Sequence, residues 1–284
     1  MESRSVYTVR VWSCGSTDWG DVYYDLVYNE DAWDVQGSTT SRTWKGSARE
    51  VWIGQMKSNS PVIIMGMHRS GTSMLTRQLH ALGIHMGKDL TINAESRCFQ
   101  ELNRGLLAEG GGSWSHIAPV LSKMESGDYV QQQAVEIRER LLRKNAISTF
   151  WSARQKVSLT IGIGPVHWGW KDPRNSITLP IWLTVFPNAR VIHVIRNGID
   201  VAISLHRRES NRARLSRDYC ERCLDFGYCF QLWEQYTQAC RWHVRDLHDG
   251  RYLELRYEEI LQTPENTLRA ALGFLGHNVS EGIV

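Results

Sequence analysis

The sequence predicts an α/β fold: a three-layer sandwich with a central parallel sheet flanked by helices, preceded by a small β-rich extension. Three observations carry this prediction. Short apolar runs at residues 61–66 and 190–195 have the length and composition of strands buried on both faces. Each run leads through a glycine-containing turn into a helical pattern, over 71–82 and 199–208. Residues 1–57 have a different texture, rich in Trp, Tyr, Ser, Thr and Gly, with period-two alternation over 6–12 and 22–28. The expected division is therefore an N-terminal extension over 1–57 and a main domain over 58–284.

Taken in order, the extension reads as short strands separated by turn residues, a meander. The main domain opens with the strand at 61–66 and the helix at 71–82. Helices follow over 99–109 and 131–146, then a short strand over 167–171. Residues 176–186 read as a helix and Pro187-Asn188 as a turn, ahead of the strand at 190–195 and the helix at 199–208. A long helix is expected over 218–247, a third strand over 251–256, and helical segments after it. Strands alternating with helices indicate a parallel sheet covered on both faces. The 284 residues, 42% of them hydrophobic, suffice for one large core.

Composition excludes several classes of function. A net charge of +3 is too small to imply a nucleic-acid partner. The basic residues cluster at Arg207-Arg208 and between Arg212 and Arg217, which suits a local pocket for an anionic ligand. No run approaches the roughly 18 apolar residues of a membrane span, and Met1-Glu-Ser-Arg-Ser-Val lacks a signal-peptide stretch. A cytoplasmic protein without a membrane part is the expectation. Of the six cysteines, Cys220 and Cys223 form a C-x-x-C pair inside the expected long helix. Half a zinc site and a redox pair are both open to it. Without a second pair at metal spacing, buried thiols are the simpler reading and no metal is expected.

The central motif is Gly66-Met-His-Arg-Ser-Gly-Thr-Ser73, between a strand and a helix. Its glycines and final serine match the spacing of G-x-x-x-x-G-K-[ST], but Thr72 stands at the lysine position. The loop is P-loop-like: glycine frees the backbone to wrap an anion, and the helix N-terminus supplies N–H groups and the positive dipole end. It lacks the ammonium that reaches the β- and γ-phosphates of a nucleoside triphosphate. A tight strand-to-helix turn would use the same glycines. The convergence of Arg69, Ser70, Thr72 and Ser73 on the loop favours anion binding.

With these residues in view, Met67-His-Arg-Ser-Gly-Thr-Ser73 resembles the 5′-phosphosulfate loop of sulfotransferases that use 3′-phosphoadenosine 5′-phosphosulfate (PAPS), in particular the bacterial and tyrosylprotein-modifying branch. Arg69 matches the basic position of that loop. The segment from Val191 to Leu205 resembles the family's 3′-phosphate-binding strand and helix, with Arg196 and Ser204 at the matching positions. Their spacing is sensible on its own terms: Arg196 ends a strand and Ser204 lies about two turns into the next helix, so both can face one phosphate at the carboxyl edge of the sheet. Alternatively, Arg196 pairs with Asp200 and Ser204 is an ordinary surface residue. Trp168-Gly-Trp-Lys-Asp-Pro-Arg174 resembles the family's Lys-Asp-Pro stretch, which implies a cation at Lys171 beside the transferring group, whereas Asp172 reads as a cap for the next helix. The segment from Asn93 to Asn103, with Gly112-Ser113-Trp114, and the stretch from Tyr252 to Leu275 resemble further parts of the family, so that the likeness covers about residues 58–276.

The resemblance implies the donor PAPS, the product 3′-phosphoadenosine 5′-phosphate (PAP), and in-line transfer of a sulfuryl group to an acceptor hydroxyl or amine. His68, Arg69, Ser70, Gly71, Thr72, Ser73, Arg196 and Ser204 would bind the donor, with Arg69, Glu95 and Lys171 catalytic. The base is Glu95, with Glu101 and His68 as alternatives, and His193 reads as structural. The acceptor class stays open among small molecules, glycans and peptides. Trp114, Trp151, Trp168 and Trp170 would either line a stacking site for it or belong to the core. The extension matches nothing in the family and is equally readable as a lid, a homodimer contact, an acceptor-binding appendage or a structural addition. Many members continue into a basic, glycine-containing segment that closes over the 3′-phosphate. The residues up to Val284 show no match to it, so the cover of that phosphate is open. Two rival readings share the loop: a P-loop nucleotide or nucleoside kinase, against which Thr72 at the lysine position argues, and a non-catalytic nucleotide-binding module that keeps the fold, which the unmatched closing segment leaves open.

Overall fold

A computed structural model describes residues 60–143, 150–151, 167–248 and 250–277, together with the backbone of three strands nearer the N-terminus. The chain forms two compact units, Met1–Ser58 with Ala153–Pro165, and Asn59–Ser152 with Val166–Val284. In the first unit, β1 (Ser5–Cys14), β2 (Trp19–Asn29) and β3 (Ala32–Gln36) form an antiparallel sheet in sequence order. The two alternating stretches of the sequence pair as Val6 opposite Val27 and Val11 opposite Val22. The side chains of this unit, Cys14 included, lie outside the described residues.

The second unit is built on four parallel strands, β4 (Val62–Met65), β5 (Gly169–Lys171), β6 (Arg190–Ile195) and β7 (Tyr252–Arg256), in the order β5-β4-β6-β7. The helices are α1 (Thr72–Ala81), α2 (Arg97–Glu109), α3 (Ala118–Met124), α4 (Gly127–Leu141), α5 (Asn175–Val185), α6 (Gly198–Arg214), α7 (Phe226–Val244), α8 (Tyr257–Gln262) and α9 (Pro264–Leu275). Strand residues alternate between two buried faces. Val62, Ile64, Ile192, Val194 and Leu255 pack with Leu75 and Leu79 of α1 and with Leu268 and Leu272 of α9. Ile63 and Val191 are equally buried on the other side, where α5 lies against β4 and α7 packs on α5 and α6. This explains why the strand sequences read as continuous apolar runs. The predicted three-layer α/β architecture is what forms.

Several element assignments change: α3 was not among the expected helices, and α6 runs on to Arg214 beyond the expected 199–208. The expected helix over 218–247 is a 3₁₀ turn, Glu221–Leu224, followed by α7. Asp225 makes the break: it is extended, and its side chain accepts from the Tyr228 N–H as the N-cap of α7. Cys220 and Cys223 therefore sit at the 3₁₀ turn with their sulfurs 3.0 Å apart, and Cys223, Cys229 and Cys240 are buried. Helix α4 begins at Gly127 and ends at Leu141, earlier at both ends than the expected 131–146, because Ser126 caps its first turn.

An aromatic layer of Phe99, Trp168, Trp170, Trp182 and Phe186 fills the space between α2, β5 and α5. Phe99 stacks on Trp170 at 4.0 Å, and Trp182 meets Trp170 edge-on at 4.9 Å. Trp151, Trp168 and Trp170 thereby belong to the core. Below this layer Asn103, fully buried, donates to Asp172 (3.1 Å) and Asn175 (2.8 Å) and accepts from Thr178 (2.7 Å) and Trp182 (2.8 Å). Truncation would strand several buried polar groups at once. Asn103→Ala is expected to destabilise the protein by about 2–4 kcal/mol in equilibrium urea unfolding.

His193, on β6, is also structural. It is buried with Nδ1 3.1 Å from the Tyr252 hydroxyl and 3.2 Å from Glu254 Oε2. Burial alone would lower its pKa, but Cys240 and Glu254 outweigh burial and lift it to about 9. The folded state then holds this proton more tightly than the unfolded chain. The resulting stability is complete below about pH 6.5 and is lost as pH rises through about 9. Urea midpoints measured from pH 6 to 10 should fall across that window, and His193→Gln should flatten the fall.

Candidate active site

The site lies at the carboxyl edge of the sheet, where β4, β5 and β6 each hand over to a loop. After β4 the chain turns through the glycine loop. Gly66 has φ of +142° and passes so close to β6 that a Cβ would sit 2.3 Å from the Val194 carbonyl oxygen. Arg69 takes the left-handed conformation (φ 75°), and so does Gly71 (φ 89°), where a Cβ would meet the Tyr257 ring at 2.1 Å. Thr72 and Ser73 then open α1, whose N-terminus has no side-chain cap. The Ser73 hydroxyl donates to the Asn93 carbonyl (2.7 Å), tying this loop to the one that carries Glu95.

The two predicted phosphate elements meet. Arg69 Nε donates to Ser204 Oγ (2.9 Å), and Arg196 Nη1 donates to the Arg69 carbonyl (3.2 Å). Arg196 lies over the Tyr257 ring at 4.6 Å and also reaches Asp200 at 3.7 Å, so the ion-pair alternative and the site placement hold together. Burial, then the charges of Arg208 and Arg196, press the pKa of Arg69 down. Among the described residues, the buried Ser70 Oγ and Arg196 Nε have no hydrogen-bond partner. Crowded guanidiniums beside unpartnered polar atoms give this end of the cleft the charge and donors that suit an anion.

Lys171, at the end of β5, is 1% exposed and donates to Glu95 Oε1 at 3.1 Å. Burial lowers its pKa, and Glu95 and Asp172 oppose the shift. Glu95 is itself buried; its Oε2 accepts from Gln100 and lies 3.8 Å from Arg174. Asp172 accepts from the Arg174 N–H and from Arg174 Nη1, both at 2.9 Å, so it caps the following turn and steers Arg174 as well. His68 packs edge-on against Trp114 (5.1 Å) and Tyr236 (6.0 Å). Burial and the positive charges of Arg174, Arg208, Lys171 and Arg69 hold its pKa well below the usual histidine value. The ring is neutral at physiological pH, and its buried Nε2 has no partner among the described residues.

These groups surround two cavities. A cleft of about 420 Å³ contains Arg69, Gly71, Thr72, Ser73, Lys171 and Arg196. A second cavity of about 350 Å³ contains Gln100, Trp114, Arg174 and Arg212. His68, Asn93, Glu95 and Arg208 belong to the walls of both. Of the predicted residues, Ser70 is buried beneath the loop and Ser204 meets the site through Arg69. Glu101 is exposed on α2 and lines neither cavity. Arg174, Arg77 and Tyr257 are lining residues to which the sequence assigned no role, and Arg208 was expected only as part of a basic cluster suited to an anionic ligand. Arg208 was within reach, since it follows Ser204 by one helical turn on α6. No group of three or more His, Cys, Asp or Glu side chains among the described residues is arranged to hold a metal ion.

Fold and cleft together define an α/β protein with a strand–glycine loop–helix turn and a cation-lined cleft at the carboxyl edge of a parallel sheet. The model of the sulfotransferase family matches residues 61–281, and the chain belongs to that family. An uncharacterised protein of Aquifex aeolicus (strain VF5) is 24% identical over 225 residues, 76% of this chain; the chain spans only 25% of that protein's length. Among solved structures, the sulfotransferase domain from the curacin biosynthetic pathway is 18% identical, with 78% of this chain and 75% of that one covered and a TM-score of 0.47. Mouse sulfotransferase SULT7A1, complexed with PAP, is 14% identical over 85% of this chain and 70% of its own, with a TM-score of 0.40. No described helix is long and apolar enough to cross a membrane.

Proposed function

We propose that the chain transfers a sulfuryl group from PAPS to a hydroxyl or amine of an acceptor by in-line displacement. The observation that supports this best is the shared wall: a cationic cleft and a second cavity meet at His68, Asn93, Glu95 and Arg208. A transferase needs this arrangement, with donor and acceptor on opposite sides of one set of charged groups. On the donor side, Arg69 and the first-turn N–H groups of α1 hold the 5′-phosphosulfate, while Arg196 and Ser204 hold the 3′-phosphate. Lys171 and Arg208 stabilise negative charge on the sulfuryl oxygens and the departing phosphate oxygen.

On the acceptor side, Glu95 takes the proton. A carboxylate offers about four lone-pair sites. Lys171 and Gln100 use one on each oxygen, so Glu95 keeps acceptor capacity on both. His68 stays neutral and orients the nucleophile through Nε2.

Two measurements on the purified chain test the reading. Calorimetry should detect PAP binding, and labelled PAPS should yield a labelled acceptor from an acceptor mixture without added metal. Phosphotransfer from Mg-ATP without sulfuryl transfer would point to the kinase reading and overturn this one.

A further inference from the structure

We infer that the acceptor is a small, neutral, polyhydroxylated molecule, a sugar or polyol, bound in the second cavity with one hydroxyl at the shared wall. This rests on the sulfuryl-transfer reading and names the substrate class of the same site.

The two cavities differ in charge. The donor cleft sets Arg69, Arg77, Arg196, Arg208 and Lys171 against Glu95, a surplus of cations that suits a ligand with several phosphate charges. In the second cavity each arginine faces a carboxylate. Arg174 lies 2.9 Å from Asp172 and 3.8 Å from Glu95, Arg208 lies 2.6 Å from Glu209, and Arg212 lies 4.0 Å from Asp218. A charged acceptor held by Arg174, Glu95, Arg208 or Glu209 would have to break a largely buried pair and leave its partner unmatched, whereas the Arg212–Asp218 pair at the rim is exposed. A hydroxyl both donates and accepts, so a polyol can insert between such pairs without upsetting the charge.

Apart from Trp114, Tyr219 and Cys220, every lining side chain among the described residues is polar or charged. An apolar acceptor would strip water from those groups and return no hydrogen bonds, and a phenol would return only those of its single hydroxyl, which is the reacting group. The wall is also fixed in place. The Trp114 carbonyl accepts from the Tyr236 hydroxyl (2.7 Å), the Ser115 carbonyl accepts from Tyr228, and Glu209 holds both Arg208 and the Cys220 N–H (2.7 Å). His68 Nε2, buried and unpartnered among the described residues, lies on the shared wall and is able to pair with a hydroxyl there.

The step balances as follows. The acceptor oxygen forms a bond to sulfur as the bond from sulfur to the 5′-phosphate oxygen breaks. The leaving phosphate keeps that electron pair and departs as PAP. The hydroxyl proton passes to Glu95, and the product is a sulfate monoester.

The test is a labelled-PAPS assay with methyl glucoside, myo-inositol, glucuronate, glucosamine and p-nitrophenol as acceptors, and PAP affinity measured in parallel. The kcat/KM for the two neutral polyols should exceed that for each of the others by about 10-fold or more. Arg212→Gln, outside the donor cleft, should shift preference from methyl glucoside toward glucosamine with PAP affinity unchanged. Intact PAP binding with p-nitrophenol or glucuronate as the best acceptor, or with no transfer to either polyol, would overturn the acceptor class and leave the donor reading standing. Loss of PAP binding in the wild-type chain would sink both.

Discussion

Arg69→Ala should lower kcat for sulfuryl transfer by roughly 10²–10³, the usual cost of removing one preorganised donor at a developing charge. Arg69 leaves two contacts to follow. Its Nε bond to Ser204 joins the two halves of the donor cleft, and its carbonyl anchors Arg196. Only the first is lost with the side chain. The residue also sits at φ 75°, a conformation strained for alanine as well as arginine. Arg69→Gly is the control, because glycine adopts that conformation freely. Equal losses in the alanine and glycine variants would assign the effect to the guanidinium. Arg69→Lys keeps the charge without the planar fork and should fall between the wild type and the alanine variant. Near-wild-type turnover in the alanine variant would remove Arg69 from the mechanism.

Glu95→Gln should lower turnover by roughly 10²–10⁴, the range for losing a general base, while PAP still binds. A second consequence separates this variant from simple loss of a base. Burial already lowers the Lys171 pKa, and Glu95 is the first group that opposes the shift. Without the carboxylate that pKa falls further. Lysine is active as the cation, so the residual rate should decline with rising pH, and at lower pH than any such decline in the wild type. A rate unchanged from wild type would move the base to His68, since Glu101 faces solvent away from both cavities.

Much of this was legible in the sequence, for identifiable reasons. The strands at 62–65 and 190–195 are buried on both faces, so they read as unbroken apolar runs. The glycine loop announced itself because Gly66 and Gly71 occupy positions a Cβ could not share with Val194 and Tyr257. Arg196 and Ser204 were found through the family resemblance, with which their spacing along strand and helix agrees. The sequence was silent where function depends on contacts between distant segments. Arg208 looked like one of several arginines on α6, and only the fold sets it on both walls. Arg174 was quoted within its motif yet acquires a role only through Asp172 and Glu95. The single helix expected over 218–247 failed at Asp225, whose capping contact ends one pattern and starts another.

The contact of Arg196 with the Arg69 backbone joins residues 127 apart in the chain, and Tyr257 closes the floor beneath both from beyond the last strand. The donor cleft is thus a joint property of β4, β6 and the segment after β7, and no one of them holds a fragment of it alone. Contacts of such range form late, once the intervening chain has been ordered. Anything that binds there grips the sheet across its width and weights the folded state by its own occupancy. Loading of that cleft and resistance to unfolding are then two readings of the same equilibrium.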